Sequence, residues 1–346
     1  MGGRRMKALV VRLSAIGDVV HTLPALAALH RHGWETGWIV EPPARPLLEG
    51  NPSLSRLWPA PPARVSAWGV AHRVLADLRA KEYDVAIDFQ GLWKSATWAR
   101  LAGAGRVVGL SRPWRREPAS AVLLGETAAL PPGIDHVIDE NLALLRPLGI
   151  DEVGAREFPL PAAAAEREAI GRALAAIGLE RFAILNPGGG WPSKLWPAES
   201  YGALARALRD RGLPSLVTWG PGEEGLADRV VAASEGAARR AFPTTLMEYV
   251  ELARRAGLVV AGDTGPLHLA CAVGVPAVAL FGPTDPSRNG PFSPRDLVVR
   301  PPSLEEAGRR GRYRIDGAVM AEISVEQVLS AIDRRLAQEG TPAHAV

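Results

Sequence analysis

The sequence predicts an α/β protein made of two doubly wound halves, each a parallel sheet covered by helices. Three observations carry this. The 346 residues suit two domains at roughly 150 residues each. With 47% apolar and 22% charged residues, the chain can bury two real cores. Short apolar runs alternate with amphipathic stretches, the pattern of βα units in a parallel sheet.

Taken in order, Lys7 to Leu13 (KALVVRL) reads as a buried strand. Ser14 to Asp18 follows as a turn, in which Gly17 supplies backbone freedom and Asp18 is a good N-cap for a helix over about Val19 to His30. Thr36 to Val40 is a second strand. A helix over Trp68 to Arg79 and strands at Val85 to Asp88, Arg106 to Leu110 and His136 to Ile138 continue the pattern. It pauses at the Pro-containing connector Phe158 to Pro161, which sets halves of 1–160 and 161–346. It restarts with a helix over about Ala163 to Ile177. Strands are then expected at Phe182 to Asn186, Leu213 to Trp219, Leu258 to Ala261 and Val275 to Phe281. The amphipathic stretch Val325 to Gln338 is a final helix, with packing on either half open, including a return onto the N-terminal one. In doubly wound sheets ligands sit at the carboxyl ends of the strands, so the site is expected in the cleft where the halves face each other.

Composition removes several functions. Cys271 is the only cysteine, so an intramolecular disulfide and a cysteine zinc cage are excluded and a reducing compartment is expected. Cys271 itself reads as a small buried apolar residue. No secretory signal is read near the start, where the apolar stretch is too short. The uncharged segment Thr264 to Thr284 is broken by Pro266, Pro276 and Pro283, which argues against a spanning helix. A net charge of +3 is too small for a general nucleic-acid binder. From Gly91 to Arg116, however, Lys94, Arg100, Arg106, Arg112, Arg115 and Arg116 occur without one acidic residue. Such a stretch is either a solvated basic face or a site for an anionic substrate. Only four basic residues are lysines, and Lys94 and Lys194 both lie in motif-like segments, so a compact ammonium is of interest at each.

Three strand-to-loop junctions carry chemistry. Ser14-Ala15-Ile16-Gly17-Asp18 places a carboxylate where it would take a proton from an acceptor hydroxyl, unless it only caps a helix. Asn186 to Pro197 (NPGGGWPSKLWP) has three glycines that let a ligand approach the backbone, then a hydroxyl and a cation at Ser193 and Lys194. That suits an oligophosphate, although the spacing is not that of a P-loop. Gly262-Asp263-Thr264-Gly265-Pro266-Leu267-His268 feeds a strand into a helix with Pro266 at its first position. The N–H groups around Thr264 and Gly265 would face an anion; a plain capped helix start explains them nearly as well. Gly220 to Gly225 matches GxGxxG, but Glu223 and Glu224 would repel a pyrophosphate there and suit sugar hydroxyls instead. No Asp-x-Asp, HExxH or GxSxG occurs, so a metal-bridged diphosphate site and a hydrolase triad are unsupported.

Taken together, these residues resemble the bacterial heptosyltransferases of lipopolysaccharide core assembly, glycosyltransferase family 9. The resemblance rests on Trp191 to Pro197, Asp263 to His268 and Phe281-Gly282-Pro283-Thr284-Asp285-Pro286 in the C-terminal half. In the N-terminal half it rests on Ser14 to Asp18 with His21-Thr22-Leu23-Pro24, on Asp88 to Ser95 (DFQGLWKS), and on Arg116-Glu117-Pro118. This second set is closer to the type I members.

The resemblance implies a GT-B fold, with two Rossmann-like domains facing across a cleft. The N-terminal domain (1–160) would bind the acceptor and the C-terminal domain (161–346) the nucleotide sugar. It implies an inverting transfer of heptose from ADP-heptose to a Kdo sugar of the inner core on lipid A, with no metal and no cofactor. Asp18 would be the general base. Ser193, Lys194 and the Asp263-Thr264-Gly265 turn would neutralise the departing diphosphate, with His268 nearby. Glu223 or Glu224 would hold the ribose, and Thr245 and Met247 would line the adenine pocket. Ser14, Gly17, Gln90, Lys94 and Arg116 would serve the acceptor. A monomer, cytoplasmic and peripheral at the inner face of the inner membrane, is expected. One departure stands out: Pro59 to His72, basic and aromatic in type I members, is Pro-rich here and carries only Arg64 as a firm charge. A different nucleotide sugar or acceptor therefore stays open, as does a non-catalytic nucleotide-sugar-binding protein on the same fold.

Overall fold

The computed structural model describes residues 4–61, 68–306 and 317–338; Arg64 lies outside the described residues. The chain divides into two compact units, Met1–Ala162 and Ala163–Val346.

In the first unit the sheet starts at its centre. β1 (Lys7–Val11) lies between β2 (Glu35–Val40) and β4 (Val85–Asp88); β3 (Arg56–Pro59), β5 (Arg106–Leu110) and β6 (Glu126–Ala128) complete the order β3-β2-β1-β4-β5-β6. Every pairing is parallel. β1 beyond Lys7 and all of β4 are buried, as strands at the centre of a parallel sheet are, hence their apolar runs up to Val11 and Ile87. α1 (Ile16–Arg31), α2 (Trp68–Ala80), α3 (Trp93–Leu101) and α4 (Val137–Ala143) are the helices of this unit. One core gathers Leu9, Val11, Ile39, Trp58, Leu78 and Tyr83, with the Trp58 indole donating to the Tyr83 hydroxyl at 2.9 Å.

Two expectations fail here. His136 to Ile138 is not a strand but the start of α4: the His136 ring accepts from the Ile138 amide at 3.2 Å as an N-cap, and Asp139 and Glu140 occupy the first turn, where the helix dipole favours acids. The sixth strand is instead Glu126–Ala128, pairing from Val108↔Glu126 to Leu110↔Ala128. Asp18 is also not an N-cap. α1 begins at Ile16, and Asp18, its third residue, turns its carboxylate back to accept from the Ala15 amide at 3.1 Å.

In the second unit, α5 (Ala164–Ala176) precedes β7 (Ala183–Asn186), and α6 (Ala198–Asp210) leads to β8 (Ser215–Val217). α7 (Glu224–Ala233), β9 (Ala238–Arg240), α8 (Leu246–Arg255), β10 (Leu258–Gly262), α9 (Gly265–Ala272) and β11 (Ala277–Leu280) follow. α10 (Pro286–Asn289), β12 (Leu297–Val299), α11 (Pro302–Glu306) and α12 (Val325–Ala337) end the described chain. The strand order is β12-β11-β10-β7-β8-β9, again parallel throughout. Trp196, Tyr201, Leu204, Val260, Leu280 and Ile332 belong to its core. The Trp196 ring stands edge-on to Tyr201, with centroids 4.8 Å apart.

For the final helix, whose packing the sequence leaves open, the contacts are within its own unit. α12 packs on α6, β11 and β12 of its own unit. Its apolar face, Val328, Ala331 and Ile332, completes that core, and Arg335 pairs with Asp296 at 2.7 Å, both side chains buried.

Both sheets share one topological consequence. The chain enters at a central strand, winds outward, then crosses back to the strand's other side. The loops following β1 and β4, and those following β7 and β10, therefore part in opposite directions and leave a crevice at the carboxyl ends. Every candidate site residue of the sequence falls on one of these four loops or on the helix that follows it, apart from Glu223, Glu224, Thr245, Met247 and Arg116.

Candidate active site

At the switch point of the first sheet, Val11 and Asp88 end β1 and β4 side by side. The Gln90 side chain bridges the two loops, its oxygen accepting from the Leu13 amide at 3.0 Å and its nitrogen donating to the Ser14 hydroxyl at 3.4 Å. The Lys94 ammonium comes within 3.5 Å of the same hydroxyl and pairs with Glu41 at 2.8 Å. Gly17 is buried in the first turn of α1. Asp18, half exposed, is held by the buried Arg12 guanidinium at 2.5 Å, and Arg12 also donates to the Phe89 carbonyl.

Arg12 was not among the residues singled out by the sequence. Its signal is visible in hindsight: an arginine closing the apolar run KALVVRL must be paired if buried, and the acid six residues on is the partner.

Arg116 follows on the loop after β5, its backbone against Gly91 and its side chain exposed. Its neighbour Arg115 is instead fully buried and pairs with Asp88 at 2.6 Å. Asp88 also accepts from the amides of Gln90 and Gly91 at 3.1 and 3.2 Å. Gly91 sits at φ +71°, and a Cβ there would lie 3.4 Å from the Arg115 and Arg116 backbone. A side chain at this position would meet both strain and crowding. The acid-free run Gly91 to Arg116 is therefore not one basic face: Lys94, Arg106 and Arg115 are paired with Glu41, Glu126 and Asp88. Sequence distance hid these partners.

At the switch point of the second sheet, Asn186 and Ala261 pair in register at the ends of β7 and β10. The Lys194 ammonium reaches Asp263 at 2.6 Å, and the other Asp263 oxygen meets His268 at 3.2 Å. Burial opposes ionisation of Asp263, but hydrogen bonds and charge from His268 and Lys194 outweigh it and hold the carboxyl well below the usual range. Asp263 is therefore an orienting anion for the ammonium. Thr264 precedes α9, its hydroxyl donating to the Gly262 carbonyl at 3.2 Å. Pro266 is the second helical residue rather than the first. The first-turn amides have no acceptor within the helix, so an ammonium and a helix N-terminus converge on one place, as an oligophosphate requires. Ser193 is half-buried in the short turn Pro192–Lys194.

Glu223 and Glu224 separate clearly. Glu223 accepts from the Gly189 amide at 2.9 Å and the Gly220 amide at 2.9 Å, fastening the loop after β7 to the loop after β8. A methyl added at Gly188 would collide with this carboxylate. Glu224 is the first residue of α7. Thr245 caps α8 in a reciprocal box with Glu248, and the buried Met247 follows. α8 packs on α9, joined by the Tyr249 hydroxyl donating to the Pro266 carbonyl at 3.1 Å. Glu223→Ala strands two loop amides and is expected to lower stability by about 1–3 kcal/mol, read as a lower midpoint in thermal denaturation.

The Asp263 ionisation also sets a pH dependence. Its folded pKa lies below the unfolded 3.8, so its contribution is complete above that value and fades as pH falls below it. Urea titrations of wild type and Asp263→Asn should differ most above about pH 5 and converge toward about pH 2. Among the described residues no three His, Cys, Asp or Glu side chains gather as a metal site would.

Two Rossmann-like units, the second offering an ammonium beside a helix N-terminus at its switch point, suit a class of proteins that bind a nucleotide-activated sugar. The model of glycosyltransferase family 9 (heptosyltransferase) matches residues 71–314. The chain is 32% identical over 309 residues to lipopolysaccharide heptosyltransferase 1 of Pseudomonas aeruginosa, covering 83% of this chain and 81% of that one. The solved glycosyltransferase family 9 structure from Veillonella parvula superposes with a TM-score of 0.83 at 22% identity, over 96% of this chain and 97% of that one. The E. coli heptosyltransferase WaaC with ADP-2-deoxy-2-fluoro heptose does so with a TM-score of 0.73 at 24% identity, over 95% and 99%. The fold is thus GT-B, and the chain belongs to glycosyltransferase family 9.

Proposed function

We propose that this glycosyltransferase moves heptose from ADP-heptose to a Kdo sugar of the lipopolysaccharide inner core, inverting the anomeric centre without a metal. The observation that carries the reading is the Lys194 ammonium, oriented by Asp263 beside the N-terminus of α9. Support for the donor and acceptor comes from a relative named as a lipopolysaccharide heptosyltransferase and from a fold neighbour solved with an ADP-heptose analogue.

In this reading Asp18 takes the proton of the attacking hydroxyl while Arg12 holds its carboxylate in place. The acceptor oxygen bonds to the anomeric carbon, the bond from that carbon to the diphosphate oxygen breaks, and ADP leaves with the electron pair. Lys194 and the first-turn amides of α9 stabilise the charge that develops there, and His268 steadies Asp263. Glu223 or Glu224, with Ser193, Thr245 and Met247, serves the donor in residues 161–346; Ser14, Gly17, Gln90, Lys94 and Arg116 serve the acceptor in residues 1–160. The protein would act as a monomer, cytoplasmic and peripheral to the inner face of the inner membrane. Among the described residues, no helix is long and apolar enough to cross a membrane.

Calorimetric titration with ADP, UDP, GDP and dTDP in EDTA tests the donor, and product analysis with a Kdo-bearing acceptor tests the transfer. Selective ADP binding is expected; a preference for UDP or dTDP would remove the ADP-heptose assignment. Lys194→Ala should weaken ADP binding by about 10- to 100-fold, as loss of a charge-assisted bond implies, and leave adenosine binding nearly unchanged. Equal losses for both would place Lys194 outside the phosphate site.

A further inference from the structure

α3 carries an outer face that nothing in its unit covers. Trp93, Thr97 and Leu101 recur every four residues and are exposed, which puts them on one face of the helix. Trp93 is 45% and Leu101 40% exposed, and Thr97 between them adds a methyl group and no charge. Beside this face, two short turns, Arg112–Trp114 and Pro118–Leu123, pack on each other, and the second packs along α3. They present Trp114 and Val122, which are 46% and 61% exposed. The segment is built rigidly from beneath. The Glu117 amide donates to the Gly91 carbonyl at 3.0 Å, the Glu117 carboxylate accepts from the Trp93 amide at 2.5 Å, and Ser120 is buried against Arg115.

The rim is basic. Arg100, Arg112 and Arg116 are exposed and, among the described residues, pair with no carboxylate. The nearest acid in the chain, Glu117, is turned inward onto the helix start. Single exposed apolar residues are ordinary, but two tryptophans, a leucine and a valine on adjoining elements, fringed by free arginines, are not. Exposed indoles with arginines match the depth profile of a lipid interface, where the ring sits at headgroup level and the cation meets anionic phosphate.

We propose that this face of α3 and the 112–122 segment docks on an anionic lipid bilayer. Docking stands on these residues alone. That it presents a membrane-borne acceptor to Ser14 and Lys94, the latter in the first turn of the same helix, rests additionally on the proposed function.

The test is flotation of the full chain with vesicles of phosphatidylcholine alone and with about equal parts of phosphatidylglycerol, both lacking any acceptor. Wild type should float with the anionic vesicles and do so roughly tenfold less with the neutral ones. The double variant Trp114→Ser/Val122→Ser and the charge reversal Arg100→Glu/Arg112→Glu should each lose flotation by roughly tenfold, while ADP titration, as a check of folding, stays at the wild-type value. Wild type that stays unbound, or variants that float as well as wild type, would overturn the proposal. So would a wild-type dimer in gel filtration that the Trp114→Ser/Val122→Ser chain cannot form, since the face would then meet a second copy. Because the vesicles hold no acceptor and transfer is not measured, a failure here is distinct from a failure of the heptosyl reading.

Discussion

Asp18→Asn should lower the rate of sugar transfer by about 10²–10⁴-fold, the range of a lost general base, while ADP binds as before. The substitution keeps size and shape, so the return contact to the Ala15 amide survives and α1 stays in place. What is lost is the ability to accept a proton. The Arg12 guanidinium, otherwise held by Asp18 and the Phe89 carbonyl, keeps the carbonyl. Rapid-quench measurement of product with saturating donor and acceptor separates the chemical step from binding. Undiminished transfer by Asp18→Asn would reduce Asp18 to a helix-terminal residue and leave the base to be found elsewhere. Arg12→Met should produce a smaller loss, mostly in kcat, because the carboxylate persists but is no longer held.

Arg115→Met should be the most destabilising single change in the first unit, by about 3–5 kcal/mol. Asp88 and Arg115 are both entirely buried, 2.6 Å apart. Removing the guanidinium leaves a buried carboxylate with only the Gln90 and Gly91 amides to stabilise it. Surface ion pairs such as Arg45–Glu49 should by comparison contribute well under 1 kcal/mol each. Chemical denaturation of Arg115→Met and of Arg45→Met makes the comparison. Similar midpoints would mean that the buried pair adds nothing beyond its volume. Since Asp88 shapes the loop carrying Gln90 and Lys94, Arg115→Met should also impair acceptor use before it unfolds the protein.

The central strands were legible from sequence, and the sheet edges were not. β1, β4, β7, β10 and β11 are buried on both faces, so each leaves a continuous apolar run. β6 (ETA) and β9 (ARR) lie at edges, lean on one neighbour and carry polar residues outward, so no periodicity announces them. The stretch His136 to Ile138 has the same three-residue ambiguity and resolved the other way, because the His136 cap and two acids complete a helix start.

The candidate site divides along the same line. Ser14, Asp18, Gln90, Lys94, Lys194 and the Asp263 turn stand at strand ends, where a short local motif specifies both backbone and side chain. Their positions could therefore be read before any fold was known. Arg115 as the buried partner of Asp88, the neutralisation of half the Gly91 to Arg116 run and the distinction of Glu223 from Glu224 could not. Each depends on which strands become neighbours. A carboxylate's partner is set by distance in space, and in a doubly wound sheet the strands that meet at the crevice, β1 with β4 and β7 with β10, are separated by tens of residues of chain.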